Sequence, residues 1–562
     1  MALHSDITAR AVQTVDFNEA AYLAAFPFVA DNIHAGTWKS VQDHYERKGA
    51  PENWLRRPRY TKAMAEQALL ARLASSPPPQ AQEPTHIPPQ AAPAPGSRYI
   101  ANGLDALLVT KSGMCLVIGW ADDRSAPLAG LSLQLPDGQV ARCVNIARCR
   151  RQDAEAAVGY PSDHLLGYYA LIELEHDAPP PAGTLLHIHC GDDTATQAAR
   201  PNLVTPIALR DTVFEYLAAT TYFGSPAVES FLQLQRGLGD GLLRLSKSIS
   251  AEISSRAYVE RYGPHDRPFR ASIVVCLYGA IEYFFLQAAI FSAATGARDF
   301  EYVYICNSPE LTEALQREAE IAARIYGLSF TLIVLPGNAG FGAANNAAVR
   351  LAASDRVIML NPDVFPRDAD WAVRHTALVE TLPAEQTRLF GVPLFYDDGC
   401  LMHGGMFVSR DMGLSVKAEG VRQQELLRVE HYGKGAPPDM AFYQQSRRVP
   451  AVTGAFISAD RHWFEKIGGF SEEYVYGHYE DADIGLKSWA AGGEVWIHNI
   501  PMWHMEGKGS VRRPAHEGGS MINRWHFTRT WSAAMHNGFL GPDPERLAPS
   551  QGVRKRRALS AA

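Results

Sequence analysis

Residues 329–366 read SFTLIVLPGNAGFGAANNAAVRLAASDRVIMLNPDVFP. Two apolar runs, 329–335 and 356–360, have the length of strands, and between them a Gly-rich turn opens a helix near Gly342. Upstream the alternation continues with a strand at 271–277, an amphipathic helix at 282–294, a strand at 302–306 and a helix at 312–326. Alternating strands and helices predict a parallel, doubly wound α/β sheet. Ligands of such sheets bind outside the carboxyl ends of the strands. Those ends carry Tyr278, Asn307, Asn338 with Gly340, and Asn361-Pro362-Asp363.

Outside this domain, placed at 266–540, the texture changes. Prolines at 77, 78, 79, 84, 88, 89, 93 and 95 make residues 76–97 a semi-rigid linker. Ahead of it, residues 1–75 hold a small helical module, its apolar and aromatic residues at helical spacing between 17 and 47. Residues 98–204 alternate short β-like runs with Gly, Pro and Asp turns and read as a compact β-sandwich. Trp120, Tyr168 and Tyr169 there are either core residues or a carbohydrate-binding patch. A helical connector at 205–265 leads into the α/β domain, and a basic tail at 541–562 carries Arg554-Lys555-Arg556-Arg557.

The chain has 562 residues, 46% hydrophobic and 20% charged, enough for several folded domains. A net charge of -7 gives no positive field to draw it to nucleic acid. Seven cysteines, odd in number and without a CxxC pair, fit a reduced, cytoplasmic protein. No secretory layout opens the chain and no apolar stretch is long enough to span a bilayer. The basic tail is either a solvated end or a peripheral contact with anionic lipid at the inner face of the membrane.

Four places carry chemistry. The turn Asn338-Ala339-Gly340 before a helix lets backbone N–H groups approach an anion such as a diphosphate, or is simply a tight connection. Asp363 ends a strand, where its carboxylate can hold Mg²⁺ or Mn²⁺ against phosphate oxygens, or form an Asn-Pro-Asp turn. Glu480, Asp481 and Asp483 open a helix; they cap it, or Asp481 takes the proton of an attacking hydroxyl. His504 ends a strand as a structural imidazole or a metal ligand, followed by Lys508, Ser510, Arg512 and Arg513 on a loop suited to phosphate.

Taken in order, NAGFGAANN, LNPDVFP, VPLFYDDGCLMHGG, the run 449–487 and the strand to His504 resemble the family 2 glycosyltransferases of GT-A fold, in particular their non-processive bacterial, rhamnosyltransferase-like branch. The resemblance covers roughly residues 269–535. It implies a GT-A (Rossmann-like, mainly parallel) catalytic domain and an inverting, metal-dependent transfer of one sugar from a UDP- or dTDP-linked donor to a glycan, a lipid-linked glycan or a protein. By position it makes Asp363 and His504 the metal ligands, Asp481 the base and Glu480 a residue orienting neighbouring groups or the acceptor. It further puts Asn307 near the nucleotide base, Asn345 near the diphosphate, and Thr453 with Gly454 along the sugar and acceptor site. Asn361 stands where the family has the first acid of its DxD motif, so Asp363 is the main carboxylate. Cys276-Leu277-Tyr278-Gly279 replaces the usual Pro-Thr-Tyr, leaving Tyr278 for stacking on the base. Met521 stands at the Gln position of the processive Q-x-x-R-W signature, ahead of Arg524-Trp525, which favours single-sugar transfer. Residues 17–52 also resemble a short helical repeat found in front of bacterial surface-polysaccharide enzymes. The competing expectations are a catalytically silent glycan-binding scaffold and a sugar-phosphate nucleotidyltransferase.

Overall fold

The computed structural model describes residues 23, 33, 39–44, 100–159, 165–175, 178–222, 231–382, 388–417, 420–505 and 514–539. The expected helical module (all but a few residues), the Pro-rich linker, the loop with Lys508, Ser510, Arg512 and Arg513, and the basic tail lie outside them. The chain divides into two units, Met1–Pro89 with Lys434–Pro437 and Gln90–Gly433 with Pro438–Ala562. In the first, Val41–His44 is a short helix. The second is mixed α/β with several sheets.

The large sheet has nine strands in the order Tyr258–Tyr262, Ser329–Val334, Phe300–Cys306, Ala271–Leu277, Arg356–Leu360, Phe456–Asp460, Arg388–Gly391, Glu494–Ile497, Arg447–Arg448. The four strands from Ser329–Val334 to Arg356–Leu360 run parallel. Ala271–Leu277 and Ser329–Val334 are buried along their whole length, as expected of strands covered by helices on both faces. The strand order reverses beside Ala271–Leu277, which puts the crevice at Tyr278 and Asn361–Asp363.

The expectation of a mainly parallel sheet is corrected to a mixed one. Tyr258–Tyr262 joins one edge antiparallel, ahead of the expected domain start at 266. Phe456–Asp460 enters antiparallel between Arg356–Leu360 and Arg388–Gly391. Parallel neighbours need a crossover; this strand instead comes after a long hairpin, Met406–Lys417 with Gly420–His431, which the sequence did not lead us to expect.

Residues 102–203 form a five-stranded and a four-stranded sheet. Val109, Cys115 and Val117 of the first and Leu131, Leu133, Leu186 and Ile188 of the second share one core. The alternate residues Leu116, Ile118 and Tyr169 face outward into a larger core with Phe214, Leu217, Leu242 and the α/β domain. Strand Met114–Ala121 is therefore apolar on both faces because both are covered. Tyr168 and Tyr169 are fully buried, which settles them as core residues rather than a carbohydrate patch.

Helix Pro206–Tyr222 crosses helix Pro514–His536 in backbone contact, since a Cβ on Gly518 would lie 2.0 Å from the Phe214 carbonyl oxygen. Among the described residues no helix is long and apolar enough to cross a membrane. All seven cysteines are free thiols.

Helix Glu480–Ala490 is seated equally tightly: a Cβ on Gly485 would stand 2.7 Å from Ala451 Cβ and 2.9 Å from its Cα. Gly485→Ala gains helix propensity, about 1 kcal/mol in an open helix, yet overpacking costs about 1–3 kcal/mol. We expect net destabilisation, read as a lower urea midpoint at unchanged slope; an equal or higher midpoint would refute the close seating.

Candidate active site

The register Leu360↔Phe456 makes the carboxyl end of one strand the neighbour of the amino end of the next. Asn361 and Asp363 thus lie beside Thr453–Ala455, and the Asn361 N–H donates to the Ala455 carbonyl at 3.1 Å. Gly454 then donates its N–H to Asp481 Oδ2 at 2.9 Å, which connects the DxD-like corner to the acidic helix. A Cβ at Gly454 would sit 3.0 Å from the Phe341 ring and 3.6 Å from Asp481 Cβ, so glycine is what lets the three segments meet.

Asp363 and His504 come together on a small four-stranded sheet. Val364–Pro366 pairs antiparallel with Met502–His504, and His504 Nε2 lies 3.3 Å from Asp363 Oδ1, both side chains buried. His504 Nδ1 lies 3.0 Å from Met402 Sδ, an acceptor only, so the Nδ1 proton points to sulfur. A neutral imidazole then turns the Nε2 lone pair toward a carboxylate oxygen, an arrangement satisfied by a proton or a cation. Among the described residues no group of three or more His, Cys, Asp and Glu side chains gathers at metal-binding spacing. The donor pair fits a divalent ion that takes the rest of its shell from phosphate and water, not an all-protein site. Asn361 contributes backbone instead: its carbonyl accepts from Gln287 Nε2 at 3.0 Å.

Glu480 and Asp481 differ in environment. Glu480 is 5% exposed, and its Oε2 has no hydrogen-bond partner among the described residues. Burial and then the neighbouring Asp481 charge push its carboxyl well above the ordinary 4.5. Asp481 is half-buried and accepts from the N–H groups of Gly454 and Ala482. Burial raises its pKa too, opposed by those donors and the Thr453 side chain. A single negative charge on the pair therefore belongs on Asp481, with the proton on Glu480.

The Gly-rich turn differs from the expectation. Asn307 donates to Asn338 Oδ1 at 2.9 Å and accepts from the Ala339 N–H at 2.8 Å; Asn338 Oδ1 also accepts from the Gly340 N–H at 2.8 Å. The Phe341 N–H donates to the Tyr476 carbonyl at 2.6 Å. Three N–H groups expected to face an anion are thus engaged within the protein, and Asn307, 2% exposed, holds this turn. Asn345, 1% exposed, donates to the Phe341 carbonyl in its own helix and is turned inward. Tyr278 is half-buried at its strand end, its ring 5.7 Å edge-on from His516.

Several residues at this site were not singled out in the sequence. The His516 ring lies tilted against Tyr476 with centroids 4.6 Å apart, and Arg210 lies 4.6 Å over the same ring while donating to its hydroxyl. Tyr476, His478 and Tyr479 have φ of 59°, 89° and 75°. Such backbone costs a non-glycine residue about 1–3 kcal/mol. Asn523 holds this turn from helix Pro514–His536. Tyr476, His478 and Tyr479 fall within the run 449–487 but without a role of their own there; Arg210 and His516 carry no motif signal, and the hint for Asn523 is that it precedes Arg524-Trp525.

No family model matches the chain. A 168-residue stretch, 30% of the chain, is 29% identical to the uncharacterised protein y4gI of Sinorhizobium fredii, covering 17% of it. A 107-residue stretch, 18% of the chain, is 25% identical to human polypeptide N-acetylgalactosaminyltransferase 15, covering 16% of it. The chain thus matches less than a fifth of the length of these relatives. Among solved structures, GalNAc-T7 with UDP, GalNAc and Mn²⁺ is similar at 15% identity and a TM-score of 0.34, over 49% of this chain and 51% of that one.

A folded-state pKa raised above the unfolded one gives stability that is present below the unfolded value and lost as pH rises toward the folded value. Glu480→Gln removes that loss. Its denaturation midpoint relative to wild type should therefore climb between about pH 4 and pH 7. A constant difference across that range would show that Glu480 is not held protonated.

Proposed function

We propose that the chain is an inverting glycosyltransferase of GT-A type that moves one sugar from a nucleotide-sugar donor to a hydroxyl acceptor. The observation that carries the reading is the half-buried Asp481 carboxylate, aimed by the Gly454 and Ala482 N–H groups beside the Asp363–His504 pair at one end of the sheet. The partial match to an N-acetylgalactosaminyltransferase accords with it.

Asp481 accepts the acceptor hydroxyl's proton as that oxygen bonds to the anomeric carbon. The bond from carbon to the diphosphate oxygen breaks on the opposite face, its electron pair leaves with the nucleoside diphosphate, and the configuration inverts. Asp363 and His504 would hold a divalent ion, Mn²⁺ or Mg²⁺, whose chemistry is to neutralise charge on the departing diphosphate. Glu480, buried and protonated, keeps the charge of the pair on Asp481. Thr453 and Gly454 line the same corner, and Tyr278 with His516 offers aromatic surface to the donor base.

The family 2 resemblance extends this reading to a bacterial enzyme of surface-glycan or glycoprotein assembly, acting in the cytoplasm on a UDP- or dTDP-linked donor. Because the turn at Asn338 and Gly340 is bonded internally, we assign the diphosphate mainly to the Asp363–His504 side.

Screening nucleotide sugars with Mn²⁺ should find one from which the protein releases nucleoside diphosphate; release of pyrophosphate would assign a nucleotidyltransferase, and no turnover a silent scaffold. Asp481→Asn should lower kcat by about 100- to 10,000-fold with donor binding kept. Transfer at the wild-type rate would remove Asp481 as base. Asp363→Ala and His504→Ala should lose Mn²⁺-dependent binding of the diphosphate in calorimetry, and unchanged binding would count against both ligands.

A further inference from the structure

We propose that Asn523 is a positioning residue, which fixes the start of helix Glu480–Ala490 and so the direction of the Asp481 carboxylate. The proposal rests on the reading of Asp481 as the base and adds a part that no motif assigns.

Asn523 is fully buried within helix Pro514–His536. Its Nδ2 donates to the carbonyls of Val475, Gly477 and His478 at 2.9, 2.9 and 3.0 Å, and its Oδ1 accepts from the Val475 N–H at 2.8 Å. Two N–H bonds thus serve three acceptors, one of them shared. The reverse amide orientation would set an oxygen against three carbonyls, so the assignment is fixed by its surroundings.

These bonds fall on the segment with left-handed backbone at Tyr476, His478 and Tyr479. Tyr479 is also the N-cap of the Glu480–Ala490 helix, and no side chain caps that end. The geometry of the first turn, where Glu480 and Asp481 sit, is therefore inherited from a turn that its own residue types disfavour. The Asn523 amide opposes relaxation by tying both sides of that turn to a neighbouring helix. With Asn523 truncated, the carbonyls of Val475, Gly477 and His478 and the Val475 N–H lose the Asn523 bond, the Val475 carbonyl keeping the Gly477 N–H at 2.7 Å, and relaxation of the turn moves Asp481 away from the Gly454 N–H.

The decisive variant is Asn523→Ala, with Thr528→Val as control. Thr528 is buried in the same helix, where its Oγ1 accepts the Leu427 N–H on the hairpin side. Two readouts are taken. In hydrogen exchange, amides 477–482 of Asn523→Ala should exchange at least about tenfold faster than wild type while those of Ala271–Leu277 keep their protection. In steady-state transfer, kcat should fall about 100-fold, the cost of misplacing a reacting group by about 1 Å, with donor KM and calorimetric binding of UDP or dTDP with Mn²⁺ within about threefold of wild type. Thr528→Val should leave both readouts at wild-type levels. Wild-type exchange at 477–482, kcat within about threefold of wild type, or an equal kcat loss in Thr528→Val would overturn the proposal. If Asn523→Ala is recovered unfolded, Asn523→Ser is read by the same criteria. If the wild type transfers no sugar, the exchange readout still decides whether Asn523 positions the turn, and the failure belongs to the functional reading alone.

Discussion

The antiparallel pairing of Arg356–Leu360 with Phe456–Asp460 is the constraint on which the site depends. Leu360 and Phe456 face each other, so the residues leaving the first strand meet those entering the second. Asp363 is three residues past the first strand and Gly454 two before the second. A slip of one residue would turn Leu360 and Phe456 out of their apolar contacts. Core packing thus fixes the register, and the register fixes the neighbourhood of two groups 118 positions apart in the chain, at 363 and 481.

Within that neighbourhood the three acidic side chains are tuned by different means. Asp363 is buried beside an imidazole nitrogen. Burial raises the pKa of both neighbours, but backbone N–H groups oppose that rise at Asp481, whereas Glu480, one residue earlier, is buried with an unpaired oxygen. Adjacent carboxyls with opposed surroundings separate into proton holder and proton acceptor, since burial disfavours both charges and only one is compensated. Asp483, a helix step further, serves packing: it accepts from Ser471, Tyr474 and Trp531.

The parallel strands were legible in the sequence because they are continuous apolar runs between turn residues, and the strands Ala271–Leu277 and Arg356–Leu360, like the helix Thr312–Tyr326 between them, occupy the expected positions. The convergence of Asp363 with His504 was legible only through resemblance, because pairing between strands 364–366 and 502–504 leaves no local trace. Sheet direction was not legible at Phe456–Asp460, whose composition is the same whichever way it runs. Asn307 and Asn345 show the limit from another side. Their positions invite a ligand, but an amide meets a backbone turn as readily, and only the fold decides between the two. Asn523 was invisible for the same reason, since its partners are carbonyls that any sequence would supply.

The helices before residue 266 share one core with both the β-sandwich and the α/β domain. Phe214 and Leu217 share a core with Ile522 and Trp525 of the last helix, and with Val475 of the strained turn. Arg210, buried, reaches the Tyr476 hydroxyl, which itself donates to Asp211. The turn that leads into Glu480 and Asp481 is therefore gripped from two sides: by Asn523 through its backbone and by Arg210 and Asp211 through the Tyr476 side chain. Because helix 206–222 also packs under the five-stranded sheet through Tyr169 and Tyr216, the β-sandwich is joined to the acidic turn by one continuous apolar core. Interiors of this kind are close-packed and transmit displacement.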